Sequence, residues 1–265
     1  MIKLGVNSVL FKAFSFTEAA RAIRLAGYDG VEISAIKGMC EHLDLDHYAD
    51  QKNEIKEALE ETGLELLATE VTALDPQRLE LAFSVAADLG IPIVNVGSGG
   101  KTGDEATLQD SIDKLNKMSE LAAQHGVILC CKAHVGASIH NTETTLRAMA
   151  AIASPAFGID MDPSHVYRAG EKPEDALPQV LSRTKHIHIR DCLGNGPSPG
   201  EPALQACGRG DIDLFAYFKV MVDGGYKGAV NLEVIGPELS MPQAVAIAAE
   251  SYGYMNACLK QLNAR

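Results

Sequence analysis

Residues 157–191 read FGIDMDPSHVYRAGEKPEDALPQVLSRTKHIHIRD, and each end of the stretch is a short apolar run finishing in polar, metal-competent side chains. Phe157 to Asp162 ends in carboxylates, with His165 three residues beyond Asp162. His186-Ile187-His188-Ile189-Arg190 alternates polar and β-branched residues. Side chains on a strand alternate faces, so His186, His188 and Arg190 point one way and the isoleucines the other. Turning His and Asp toward the inside of an apolar strand desolvates them, which is costly unless they are paired or bind a metal. A third run, AVNLEV at 229–234, ends the same way at Glu233. Three strands ending in Asp, His and Glu point to a site at strand ends. Asp160, on the same face as Asp162 but about 7 Å deeper, reads as structural, and so does His186.

Around this stretch, strand and helix patterns alternate along the whole chain. Strands are expected at 2–7, 30–33, 64–71, 92–96, 127–132, 157–161, 186–189 and 229–234. Ser15-Phe16-Thr17-Glu18 has the form of a capping box opening the first helix, which runs to Gly27. Asp75-Pro76 opens another, with Pro in the first turn, where its missing N–H costs nothing. The segment from Lys37 to Asp46 reads as a polar loop. Eight strands alternating with eight helices imply parallel strands joined by right-handed crossovers. At this length the expectation is one closed (β/α)8 TIM barrel over residues 1–265, with an open doubly wound sheet as competitor. In a barrel, functional residues gather at the C-terminal ends of the strands.

Composition excludes several classes of function. The net charge of −12, from 23 basic against 35 acidic residues, argues against a nucleic-acid partner. A local pocket can still oppose the global charge, so a small anionic substrate stays open. The first residues lack a signal peptide's long apolar core, and no run approaches the roughly 18 apolar residues of a membrane span. The six cysteines form no CxxC pair. A cytoplasmic protein with reduced thiols and no membrane contact is therefore expected. No aromatic-rich patch or heptad marks a partner surface, which leaves the oligomeric state open.

Other candidates are weaker. A Walker motif around GSGGKT at 97–102 would need Gly at position 95, which is Asn95, so a Gly-rich strand-to-helix turn is preferred. His134 and His165, just past strand ends, are candidates for substrate contact. Glu32 and Glu70 end strands two and three. Arg209 lies in a loop of twenty-odd residues after strand seven, long enough to act as a lid. An internal salt bridge is the expected role of Arg190-Asp191. Carboxylates plus one imidazole at Asp162, His188 and Glu233 suit Mn²⁺, Mg²⁺, Zn²⁺ or Co²⁺.

Through YDGVEI at 28–33, DPSH at 162–165, HIHIRD at 186–191, GRGDID at 208–213 and NLEV at 231–234, the chain resembles the sugar phosphate isomerase/epimerase group. That group lies in the xylose-isomerase-like barrel superfamily, and the resemblance covers the whole chain. It implies a divalent metal held by a Glu at the end of strand five, the Asp of DxxH, the His of HxxD and the Glu of strand eight. Three of these carry over as Asp162, His188 and Glu233. The fourth position is Lys132. An ammonium beside a divalent cation is repulsive. A displaced or neutral Lys132 acting as a base would resolve this, as would an ammonium in place of the metal, or a ligand supplied by water or His134. A retained metal is the expectation, since the other three ligands survive.

The resemblance further implies a metal-assisted isomerase or epimerase of a keto-sugar or sugar phosphate working through an enediolate. Glu233 would be the carboxylate base, Lys132 the partner acid or oxyanion stabiliser, and His165, His134, Arg209 and Glu70 substrate contacts. The alternatives are a dehydratase or lyase acting on a cyclic or 3-keto sugar and a non-catalytic sugar-binding barrel. The endonuclease branch of the superfamily uses a basic DNA face, which the net charge opposes.

Overall fold

The computed structural model describes residues 1–265. Eight parallel strands close on themselves: β1 (Leu4–Asn7), β2 (Gly30–Ile36), β4 (Glu65–Thr72), β5 (Ile93–Gly97), β6 (Ile128–Lys132), β7 (Phe157–Met161), β8 (Thr184–Ile189) and β9 (Val230–Leu232). Closure is made by β1, which pairs with β2 on one side and β9 on the other. The expected TIM barrel is the observed one. β3 (Cys40–Glu41) is a departure, because the segment read as a polar loop folds back antiparallel on β2.

The helices are α1 (Phe16–Ala26), α2 (Tyr48–Thr62), α3 (Pro76–Leu89), α4 (Glu105–Gln124), α5 (Thr142–Ala151), α6 (Pro163–Arg168), α7 (Pro173–Val180), α8 (Leu214–Asp223) and α9 (Met241–Gln261). The Ser15–Glu18 capping box is formed, and Asp75 caps α3 through the Arg78 N–H. The short helix α6 was not expected. Asp162 caps it at the Ser164 N–H, with Pro163 in the first turn, so it starts by the same Asp-Pro device as α3. No helix is long and apolar enough to cross a membrane. The six cysteines are unpaired and buried.

Alternation along the strands sorts two cores. Most apolar side chains belong to one cluster of 68 buried residues that includes Val31, Ile33, Val94, Cys131, Ile159, Ile187 and Leu232 from the strands and Ile23, Phe83, Leu115 and Phe218 from the helices. A separate small cluster, Ala68, Ile93 and Cys130 with Ile128 against it, lies on the opposite strand faces and plugs one end of the barrel interior. Two residues further along the same faces come Glu70, Asn95 and Lys132, so above the plug the interior turns polar. The plug and the charged layer follow from the two-residue period of three neighbouring strands. Gly5 keeps this interior passable, because a Cβ there would overlap Asn231 Oδ1 and Leu67.

Candidate active site

The polar interior is built in two tiers, and strand register sets both. Lys132 stands beside Asp160, Asp160 beside His186, and His188 beside Asn231 on adjacent strands. In the lower tier Asp160 Oδ1 accepts from the His188 backbone N–H at 3.0 Å and lies 2.9 Å from His186 Nδ1. Asn95 Nδ2 donates to Glu32 Oε1 at 2.6 Å. Glu32 Oε2 lies 2.5 Å from His188 Nε2. All of these residues are fully buried. Burial opposes ionisation of Glu32 and Asp160, yet His188 and His186 overcome it and hold both carboxyls below the usual range. Burial likewise disfavours the His188 imidazolium, but Asp160 and Glu32 win and its pKa rises well above the ordinary value.

The upper tier faces a cavity of about 300 Å³ at the C-terminal mouth, with Glu70, Lys132, His134, His165, Arg190 and Glu233 among its lining residues. Lys132 Nζ donates to Glu70 Oε1 at 3.0 Å and to Glu233 Oε1 at 2.8 Å. Burial alone would neutralise the amine, but Glu233 and Glu70 keep it charged. A neutral Lys132 base is therefore not what this geometry provides. Burial and the neighbouring Glu233 push Glu70 up to about 7, against the pull of Lys132 and His188. Glu233 moves the other way: burial would raise it, while Lys132, Arg190 and His188 hold it well below the carboxylate range. Two carboxylates flanking one ammonium thus have opposite proton affinities.

Arg190 was not foreseen in this role. Its Nη2 donates to Asp162 Oδ2 at 2.9 Å and lies 2.8 Å from His165 Nε2, and its Nε donates to Ser164 Oγ at 2.7 Å. Arg190 Nη1 stands 3.1 Å from Glu233 Oε2, but the angle makes no hydrogen bond and both buried atoms remain without a partner. The internal salt bridge expected at Arg190-Asp191 forms from Arg190 to Asp162, since alternation turns Arg190 and Asp191 to opposite faces. Asp191 instead accepts from the backbone N–H groups of Cys192, Gly208 and Ile212, pinning the long loop after β8 to its base. The signal for Arg190 lay in the HIHIR alternation, which puts it on the same face as His188.

The remaining candidates separate. His134 and His165 stack at the cavity wall with ring centroids 3.9 Å apart, and burial lowers the pKa of both. Arg209 lies outside the cavity, exposed and paired with Glu250 through both Nε and Nη2. Gly97 and Gly99, from the Gly-rich turn, reach the cavity, whereas Lys101 is exposed.

Two groups of Glu and His, Glu32–His186–His188 and Glu70–His188–Glu233, hold ligand atoms within 4.8 Å of one another, a spacing compatible with a divalent ion. The occupancy of those atoms opposes one. His188 Nε2 lies against Glu32 and its Nδ1 2.8 Å from Asp160 Oδ2, and these two carboxylates favour the imidazolium, which has no lone pair to give a metal. Glu70 and Glu233 already share the Lys132 ammonium. Asp162 Oδ1 accepts from Ser164 N and Oγ, and Oδ2 from Arg190. The residues expected to hold a metal do not fit one in this arrangement.

A closed β/α barrel with charged residues at the C-terminal ends of its strands has the architecture of an enzyme. Residues 20–258 match the family described as xylose isomerase-like TIM barrel, and the chain is an enzyme of that family. It is 23% identical to an inosose dehydratase of Clostridium botulinum, over 92% of this chain and 90% of the relative. Among solved structures it resembles a D-allulose 3-epimerase from Methylomonas sp. (TM-score 0.77, 16% identity, 97% of this chain and 98% of that one). It also resembles a 3-keto-D-glucoside 4-epimerase from E. coli (TM-score 0.76, 19% identity, 97% and 100%). At these identities the structural likeness is one of fold.

Proposed function

We propose that the chain transfers a proton at a carbon next to a carbonyl on an uncharged polyhydroxylated keto compound, the step shared by isomerisation and epimerisation of keto-sugars. One observation carries this reading: the buried carboxylates of Glu70 and Glu233 face one small cavity with the Lys132 ammonium bonded to both. In the forward step a carboxylate takes the C–H proton, and the carbonyl π electrons move to oxygen, giving an enediol-type species. Delivery of a proton to the opposite face of the same carbon, from solvent or from a second group, epimerises it; delivery to the neighbouring carbon, with the hydroxyl proton passing to the former carbonyl oxygen, isomerises the sugar. Glu70 suits the carrier role, since a base titrating near neutrality can take a proton and give it back. Glu233, held ionised, orients substrate hydroxyls, and Lys132 opposes the negative charge that develops on oxygen. His134 and His165 contact the substrate from the wall.

The lining favours an uncharged substrate over a sugar phosphate. Both cations at the cavity have their charge compensated, Lys132 by Glu70 and Glu233 and Arg190 by Asp162, so a phosphate dianion would meet no uncompensated charge there. The divalent ion expected at Asp162, His188 and Glu233 has no part in this reading. Incubation of ketohexoses and ketopentoses with the protein in D₂O, followed by proton NMR, tests it. Loss of a signal at a carbon next to the carbonyl supports the reading, and turnover with complete retention of those protons sinks it.

A second reading, dehydration, is favoured by the ammonium beside the base. After proton abstraction, Lys132 can protonate a β-hydroxyl as it leaves as water, and the similarity to inosose dehydratases points the same way. The same experiment with an inosose separates the two, because dehydration gives a new olefinic or diketone spectrum rather than exchange alone.

A further inference from the structure

We propose that Arg190 is a catalytic residue: its free Nη1 receives the reacting oxygen of the substrate, and with Lys132 it supplies the site's positive charge without a divalent ion. The inference rests on the proton-transfer reading and adds the identity of its electrophile.

Arg190 is 1% exposed, and two of its three nitrogens are committed, Nε to Ser164 and Nη2 to Asp162. Those bonds fix the guanidinium plane, leaving Nη1 with no hydrogen-bond partner although the residue lines the cavity. A buried N–H without a partner is costly and rarely left so unless something fills it. The atom across from it, Glu233 Oε2, is equally unpartnered. Just beneath the cavity lining there are thus one donor and one acceptor, 3.1 Å apart with no hydrogen bond between them, which a small movement of the lining side chains would open to a ligand. A keto-alcohol meets both demands. Its carbonyl oxygen accepts from Arg190 Nη1, and its neighbouring hydroxyl donates to Glu233 Oε2.

The electron count closes without a co-reactant. As the C–H bond breaks toward a carboxylate, the carbonyl π pair moves onto the oxygen held by Nη1–H, and the charge gained there faces a permanent cation in a dry site. Reprotonation reverses the movement. A divalent ion would have to enter beside Glu233 Oε2, where the guanidinium already stands, and cation–cation repulsion disfavours that.

Two measurements on the folded chain decide the matter. Isothermal titration of the EDTA-dialysed wild type with MnCl₂ should show no stoichiometric uptake, and its deuterium exchange should be the same with and without EDTA. One equivalent of tightly bound Mn²⁺, with exchange lost on dialysis and restored by Mn²⁺, overturns the proposal while leaving the proton-transfer reading intact. Arg190→Lys keeps the charge but removes the second donor, and should lower kcat for exchange by about 10²–10³-fold, as loss of an oxyanion donor does. A folded Arg190→Lys protein with unchanged kcat also overturns it. Should that variant fail to fold, the wild-type titration decides alone. Absence of exchange from every keto-sugar in the wild type would instead sink the underlying proton-transfer reading.

Discussion

Lys132 Nζ stands 2.8 Å from Glu233 Oε1, so an amine from β6 and a carboxylate just beyond β9 meet across the barrel mouth. Together with Glu70 they form a buried triad whose central charge holds the other two in place. Removing one partner of such a group leaves a charge without compensation and costs about 3–5 kcal/mol. Lys132→Met should lower the free energy of unfolding in urea by that order and abolish exchange. A midpoint shifted by only a few tenths of a kcal/mol would mean the ammonium is not holding the tier together.

Lys132→Glu probes the same position by charge reversal. A third carboxylate beside Glu70 and Glu233 should create an Mn²⁺ site visible by titration calorimetry, with the apo variant less stable than the wild type. Equal metal uptake by the two proteins would show that Lys132 does not control the cation at this position.

Gly5→Ala should destabilise the fold by about 1–3 kcal/mol, the usual cost of forcing extra atoms into a packed interior. The new methyl meets the Asn231 amide, whose Nδ2 lies 2.5 Å from His186 Nε2, so the damage travels into the lower tier. Thermal melting is the measurement, and an unchanged midpoint would show that the interior is looser than this packing implies.

His42 gives a pH-dependent handle away from the cavity. It is 8% exposed, packs on Phe16, and has one ring nitrogen on the Phe14 carbonyl and the other unpartnered. Burial lowers its pKa, so as pH falls below the unfolded value of about 6.5 the unfolded chain binds a proton that the folded chain refuses. Stability present above that pH is lost toward the lower folded value. His42→Phe should remove this loss: the difference in melting temperature between variant and wild type should widen in the variant's favour from pH 7 down to pH 5. A difference constant with pH would show that His42 does not titrate between the two states.

Arg209→Ala should change neither kcat/KM nor stability by much, because an exposed ion pair is worth about 0–1 kcal/mol and the residue does not line the cavity. A loss of tenfold or more in kcat/KM would show that the loop closes over the substrate.

The barrel was legible because its signals are local: caps, Gly stops and two-residue alternation repeated eight times. Helix α6 carried the same Asp-Pro start as α3, but the DPSH residues drew attention as chemistry and hid their second meaning as a helix cap. Strand β3 is two residues long and stabilised by its partner, so no periodicity could announce it. For the site, alternation placed His186, His188 and Arg190 on one face, while Lys132 entered through the family resemblance and Glu70 only as the end of a strand. What could not be read was who pairs with whom across the barrel. The contacts Lys132–Glu70, Arg190–Asp162 and His188–Glu32 span 62, 28 and 156 residues. These pairings turn a set of candidate metal ligands into an internally compensated ion network. An internal salt bridge was expected at Arg190-Asp191, but its partner, Asp162, lies 28 residues away, where no local pattern could name it.

The unfilled pair at Arg190 Nη1 and Glu233 Oε2 also bears on how this enzyme could drift or be remade. Every other charge in the upper tier is bound into the fold, so random substitution there tends to remove the protein along with its activity. These two atoms have no hydrogen bond to give up when a ligand arrives. Selection for a different keto compound would therefore first act on the cavity wall that decides which oxygen reaches them, at Ile36, Met39, Thr72, Ala137 and Ile235. The charged floor would stay as inheritance, and specificity would be written in the rim.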